Sequence, residues 1–187
     1  FLLVLPLIGF SQINDSNITN VILCTGYLGN MINDEYGLRY KNLKITYSQE
    51  NKPLGTGGAL RLALPLIQSK LLMVMNGDSY INILLNNYIK WFTENKFSAS
   101  ICLTHKDDTR RFGRIELDQN DKIERFNEKK DVNEAGYINA GIYLFEKELF
   151  SNITEGKFFS LEKEFFPKMI NKNNIDGYLC DNKFIDI

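Results

Sequence analysis

Apolar residues fall along this chain in two alternating rhythms. Short, nearly continuous apolar runs read as strands: "NVILCTG" at 20–26, "LKITYSQE" at 43–50, "KLLMVMNGD" at 70–78 and "FSASICLTH" at 97–105. The run at 70–78 is apolar on both faces, the pattern of a strand covered from both sides. Between them lie helix-like stretches: "YLGNMINDEYG" at 27–37, ending at Gly37, "ALRLALPLI" at 59–67, with Pro65 in its last part, and the amphipathic "LLNNYIKWFTEN" at 84–95. This β-α-β-α-β-α-β order predicts a mostly parallel sheet with helices on both faces. The second half changes character. "GRIELD", "KIERFNEK" and "YINAGIYLFE" read as short strands joined by turns, "SLEKEFFPKMI" (160–170) as a helix and "GYLCDNKFIDI" as one final strand. The expectation is a single α/β domain over 1–187 with a mixed, mainly parallel sheet.

The first ten residues, "FLLVLPLIGF", break the rhythm. They resemble the apolar core of an export signal, but no basic segment precedes them and no small-residue cleavage pattern follows. They are too few to span a bilayer as a helix. They read as a truncated N-terminus, with residues 1–19 the atypical part.

Composition narrows the function. The chain is 44% apolar and 24% charged, as globular proteins are. A net charge of −1 leaves no basic field to hold nucleic acid or an anionic membrane. A nucleotide-sized anion stays open, because backbone amides or a metal can bind it. Cys24, Cys102 and Cys180 show no zinc spacing and read as buried free thiols of a reducing, cytoplasmic compartment. His105, the sole histidine, ends an apolar run and reads as surface or structural.

Candidate chemistry gathers at strand ends. "NGD" follows the buried run at 70–75, so Asp78, after Gly77, sits where α/β sheets place their ligands. A carboxylate there suits Mg²⁺; it suits a turn equally well. Asp186 in "FIDI" is flanked by apolar residues and calls for solvent, a partner or a metal. Glu128 and Lys129 in "FNEKKDV" form either a solvated turn or a contact for sugar hydroxyls and phosphate. Asn139 in "INAGIY" needs hydrogen-bond partners, and the adjoining glycine marks a bulge or a close approach. "KPLGTGGAL" at 52–60 is a Gly-rich corner that matches neither a P-loop nor the dinucleotide fingerprint.

The ordered set is more specific than its members. "PLGTGGAL", "NGDSY", "RFGRIELD", "FNEK", "YINAGIYLF", "SLEKEFFP" and "FIDI" together resemble the sugar-1-phosphate nucleotidyltransferases, above all the D-glycero-D-manno-heptose 1-phosphate and mannose-1-phosphate guanylyltransferases. The resemblance runs from about residue 20 to residue 187. It implies a Rossmann-like three-layer α/β/α fold. The implied reaction joins an NTP and a sugar 1-phosphate into an NDP-sugar and pyrophosphate, with Mg²⁺ as cofactor. GTP is favoured over UTP, dTTP or CTP, since Glu50 falls at a base-reading position. The family is often dimeric, so a homodimer is implied. Leu54, Gly55, Thr56, Gly57 and Gly77 match nucleotide-contacting positions, the glycines letting a base approach the main chain. Asp78 and Asp186 match the metal-binding carboxylates. Gly113, Glu128 and Asn139 match sugar contacts, and Lys129 a lysine near the sugar phosphate.

The pattern departs from the family at its start. A GGxGTRL phosphate loop and a Pro-Lys-Pro segment are absent from these 187 residues. The expectation is a sheet missing its first strand, with exposed edges. The resemblance also implies truncation after "FIDI", and such a chain is expected to be poorly soluble or inactive alone. The alternatives are a glucose-1-phosphate thymidylyl-, uridylyl- or cytidylyltransferase, or an inactive fragment that binds a sugar phosphate or nucleotide.

Overall fold

Strands form where the apolar runs predict them. The computed structural model describes residues 2–3, 7–127 and 134–186. In chain order these hold β1 (Leu2–Leu3), α1 (Leu7–Asn14), β2 (Asn20–Thr25), α2 (Gly29–Tyr36), β3 (Arg39–Tyr40), β4 (Leu43–Gln49), α3 (Gly55–Ala63), β5 (Leu71–Met75) and β6 (Ser79–Ile81). They continue with α4 (Leu85–Glu94), β7 (Ala99–Lys106), β8 (Arg114–Leu117), β9 (Ile123–Asn127), β10 (Gly136–Glu146), α5 (Phe166–Ile170), β11 (Asp176–Leu179) and β12 (Phe184–Asp186).

The main sheet runs β11-β7-β10-β5-β1-β2-β4-β3. β5, β1, β2 and β4 are mutually parallel, as is the β11–β7 pair. The long β10 lies antiparallel between β5 and β7, so the sheet is mixed. Period-2 alternation divides its side chains between two cores. Leu72 and Val74 face α3 and α5, with Leu60, Phe165 and Phe166. Met73 and Met75 face the opposite layer, with Phe10 of α1 and Leu85, Tyr88 and Phe92 of α4. Helices therefore cover both faces, giving three layers.

Three expectations need correction. The first strand is not missing: Leu2–Leu3 takes the slot between β2 and β5, pairing Leu2 with Ile22 and Val74, and Leu3 with Met75. Two extended residues are enough to satisfy both neighbours locally, so the sheet shows no open edge at that pairing. "GYLCDNKFIDI" is two strands. β11 closes the main sheet on β7, and after the polar Asp181–Lys183 stretch β12 pairs with β6 in a separate antiparallel ribbon that sets Asp186 opposite Ser79. The expected helix at 160–170 opens with a wide π-helical turn, Leu161–Phe165, before α5. Ser160 caps it reciprocally: its Oγ accepts the Lys163 N–H at 3.2 Å, while Glu164 Oε1 accepts the Ser160 N–H at 3.1 Å. Pro167 falls in the first turn of α5, where no N–H is needed.

Candidate functional site

Two adjoining cavities open at the carboxyl ends of β2, β4 and β5. One, of about 770 Å³, is bounded by α3 and lined by Cys24, Glu50, Gly55, Thr56, Gly77, Asp78 and Glu162, among others. The second, of about 470 Å³, is bounded by β12 and lined by Asp78, Ser79, Arg111, Gly113, Asn139, Glu162, Lys163 and Asp186, among others. Asn76, Asp78 and Glu162 belong to both walls. The carboxylate predicted after the most buried strand thus stands at the junction.

The β12 cavity is built on a distorted strand. β10 keeps register with β7 up to Asn139, opposite Leu103, and resumes at Tyr143, opposite Ile101. Residues 140–142 bulge between them, with Gly141 at φ +75°. The bulge makes the floor of the site. Asn139 Nδ2 donates to the Tyr143 hydroxyl at 2.7 Å, and Asn139 Oδ1 accepts the Gly141 N–H at 2.9 Å. The Asn76 N–H donates to the Gly141 carbonyl at 2.7 Å. Burial pushes the Tyr143 phenol well above its ordinary range, with Glu162 and Asp78 adding to the rise against hydrogen bonds from Asn139 and Asn76. It stays protonated and works as scaffold.

Charge around Asp186 is arranged selectively. Arg110 folds back on Asp108 at 2.6 Å, and Arg114 pairs with Glu134. Arg111 lies 3.6 Å from Asp186 Oδ2 on the cavity wall. A cation already rests against that carboxylate, which fits an oxygen site that attracts positive charge. Among the described residues no group of three His, Cys, Asp or Glu could hold a metal. Asp78 and Asp186 line the same cavity, and Mg²⁺ needs only one or two carboxylates beside water and phosphate oxygens.

The Gly-rich corner has a different cause from the one the sequence suggested. α3 begins at Gly55 itself, and residues 157–159 lie across its first turn. The Gly57 and Gly58 N–H groups both donate to the Phe159 carbonyl at 2.9 Å. A Cβ on Gly57 would come 2.5 Å from the Phe159 ring, and one on Gly58 would come 2.8 Å from the Lys157 carbonyl. These two glycines admit the chain itself, not a ligand. Gly57 and Leu54 line neither cavity; Leu54 is buried and gives its N–H to Glu50 Oε2 at 3.1 Å. Gly55 and Thr56 do reach the α3 cavity. Glu128 and Lys129 lie outside the described residues.

The sequence reading missed Asn76, Ser79, Arg111, Glu162 and Lys163. Glu162 and Lys163 sit inside the quoted "SLEKE", and Arg111 just before the "FG" of Gly113, so the motifs held them without marking their role. His105 is exposed, packs edge-on against Tyr137 at 5.5 Å and lines neither cavity. The three cysteines are free. Cys24 reaches the α3 cavity, but burial pushes its thiol up to about 12, which leaves no thiolate nucleophile. No helix among the described residues is long and apolar enough to cross a membrane.

Paired cavities at parallel strand ends, with a carboxylate at their junction, mark an α/β protein that brings two ligands together over the sheet. The chain belongs to the nucleotidyl transferase family, whose model matches residues 5–187, and by that family it is an enzyme. It is 32% identical over 178 residues to the D-glycero-alpha-D-manno-heptose 1-phosphate guanylyltransferase of Aneurinibacillus thermoaerophilus, spanning 95% of this chain and 76% of that protein. It is 32% identical over 172 residues to the mannose-1-phosphate guanylyltransferase of Mycobacterium tuberculosis, spanning 90% of this chain and 48% of that protein. The crystal structure of HddC from Yersinia pseudotuberculosis superposes with a TM-score of 0.85 at 28% identity, over 95% of this chain and 77% of that one. The same protein complexed with GMP-PN gives 0.83 at 27%, over 95% and 76%.

Proposed function

We propose that this chain catalyses guanylyl transfer from GTP to a mannose-type sugar 1-phosphate, giving a GDP-sugar and pyrophosphate. The observation that carries this reading is the junction: the α3 and β12 cavities meet at Asp78, inside a nucleotidyl transferase fold. The guanylyltransferase names of the relatives support the choice of base and sugar. The nucleotide occupies the α3 cavity and the sugar phosphate the β12 cavity. The attacking sugar phosphate oxygen is already anionic at neutral pH, so no general base is required. The site must instead align attacker and α-phosphorus and offset crowded negative charge. Asp78 and Asp186 would hold Mg²⁺, which supplies that neutralisation. Three free thiols support a reducing, cytoplasmic setting.

Glu50 is the base-reading group in this scheme. One carboxylate oxygen is held by the Leu54 N–H, which fixes the side chain at the cavity wall. Guanine presents N1–H and N2–H₂ donors to such an acceptor, and uracil presents one donor. The test is pyrophosphate release with Mg²⁺, mannose or D-glycero-D-manno-heptose 1-phosphate, and GTP, UTP or dTTP in parallel. The expected result is a kcat/KM for GTP at least about tenfold above the others. Glu50→Gln should cut that ratio by about tenfold. Preference for UTP or dTTP would overturn the guanylyl assignment.

A second reading has its own observation. None of the described residues lining the α3 cavity is Lys or Arg, so the charge of a leaving pyrophosphate meets no side-chain cation among them. A chain that binds GDP-mannose in calorimetry yet releases no pyrophosphate would be a binding protein, not a catalyst.

A further inference from the structure

One hydrogen-bonded pair ties the wall of one cavity to the other. The Thr56 hydroxyl, in the first turn of α3, accepts the Leu161 N–H at 2.9 Å and donates to Glu162 Oε2 at 2.9 Å. Ser160 Oγ donates to the same oxygen at 3.0 Å. Thr56 has spent its only proton, so it has none to donate to a nucleotide. Glu162 Oε2 is held by two hydroxyls from two separate segments. Oε1 is the acceptor left over among the described residues, and Glu162 borders both cavities.

A carboxylate in that place repels phosphate and suits a hydroxyl. Ser79 Oγ, on the β12 cavity wall, is unpartnered among the described residues but carries no charge. Asp78 and Asp186 are the pair that fits a cation. Asn139 has given an N–H to Tyr143 and its oxygen to the Gly141 N–H. Glu50 lines the α3 cavity and not the β12 cavity. We propose that Glu162 Oε1 accepts a ring hydroxyl of the sugar 1-phosphate, and that Thr56 is the positioning residue that holds Glu162 in place. This rests on the guanylyltransferase reading. It moves Thr56 from a nucleotide contact to a determinant of sugar binding, supplied by the nucleotide-side helix.

The test measures KM for mannose 1-phosphate and for GTP separately. Thr56→Val keeps the shape and loses the hydroxyl. It should raise KM for mannose 1-phosphate about tenfold and move KM for GTP less than about twofold. Thr56→Ser should recover the sugar KM to within about threefold, and Glu162→Gln should raise that same KM. A rise in KM for GTP alone, or a serine variant as poor as valine, would overturn the assignment. If no nucleotide and sugar 1-phosphate give turnover, the guanylyltransferase reading fails by itself. A double-mutant cycle of Thr56→Val with Glu162→Gln in urea then decides for the pair. A coupling of at least about threefold in the unfolding constant supports it, and additivity overturns it.

Discussion

Asp78→Ala is expected to lower turnover by at least about 10³-fold while leaving stability within about 0.5 kcal/mol. The two halves of that result have separate causes. Asp78 is exposed, at the end of β5, so removing its side chain opens no cavity in the core. It also stands on both cavity walls, where the negative charge of two phosphates must be offset. The carboxylate cannot offset that charge itself; in the proposed scheme it would hold the Mg²⁺ that does, so its loss would remove stabilisation that exists only as charge crowds in the transition state. Asp78→Asn keeps the shape and loses the charge, so it should be nearly as inactive as alanine. Asp186→Ala should fall in the same range, and the double variant should be scarcely worse than either single one, because groups that act as a unit are not additive. Pyrophosphate release and urea midpoints measured side by side would show this. An Asp78→Asn variant retaining a tenth of the wild-type kcat would remove Asp78 from the machinery.

Gly141→Ala is expected to cost about 2–5 kcal/mol of stability. Part of this is backbone: φ is +75°, a region that costs an L-residue about 1–2 kcal/mol. The larger part is steric. An added Cβ would lie 2.2 Å from Ser79 Oγ and 3.1 Å from Asn76 Cβ. Ser79 Oγ has no hydrogen-bond partner among the described residues and can rotate aside, whereas Asn76 Cβ is fixed to the backbone and yields only if the chain moves. Gly156 supplies the control, at φ +74° with nothing within 4 Å of its added Cβ. Gly156→Ala should lose only the backbone share, about 1–2 kcal/mol. Urea denaturation of both variants separates the two causes. Equal losses would mean that the bulge yields and that the crowding at Ser79 is relieved by movement.

Those two positions show what could be read from the chain. Asp78 was legible as a cavity residue because it follows a buried apolar run, and strand ends are where open α/β sheets keep their ligands. Asp186 was legible because a carboxylate between Ile185 and Ile187 calls for solvent, a partner or a metal. The direction of β10 was not legible. A strand buried on both faces reads the same whether its neighbours run parallel or antiparallel. The bulge was half legible, since a glycine in a strand signals either a bulge or a close approach. Here it is both, and the body that approaches is the protein's own Asn76 and Ser79. The corner at 55–58 was half legible for the same reason: Gly55 and Thr56 border the α3 cavity, while Phe159 and Lys157 fill the space beside Gly57 and Gly58. Thr56 and Glu162 meet across 106 positions of sequence, and no local pattern announces such a pair. "GYLCDNKFIDI" hid its break because three polar residues in an extended run look like a strand edge until the pairing partners are known.

The slot filled by Leu2–Leu3 has a mechanical consequence. Among the described residues, β2 and β4 share six register pairs and β5 and β10 share five, and Leu2–Leu3 joins the two groups through Ile22 on one side and Val74 and Met75 on the other. The sheet thus holds two panels side by side. Glu50 belongs to one panel and Asp78 to the other, and the α3 cavity spans both. The width of the larger cavity is therefore set by how the two panels are held against each other, and not by the pairing inside either one alone.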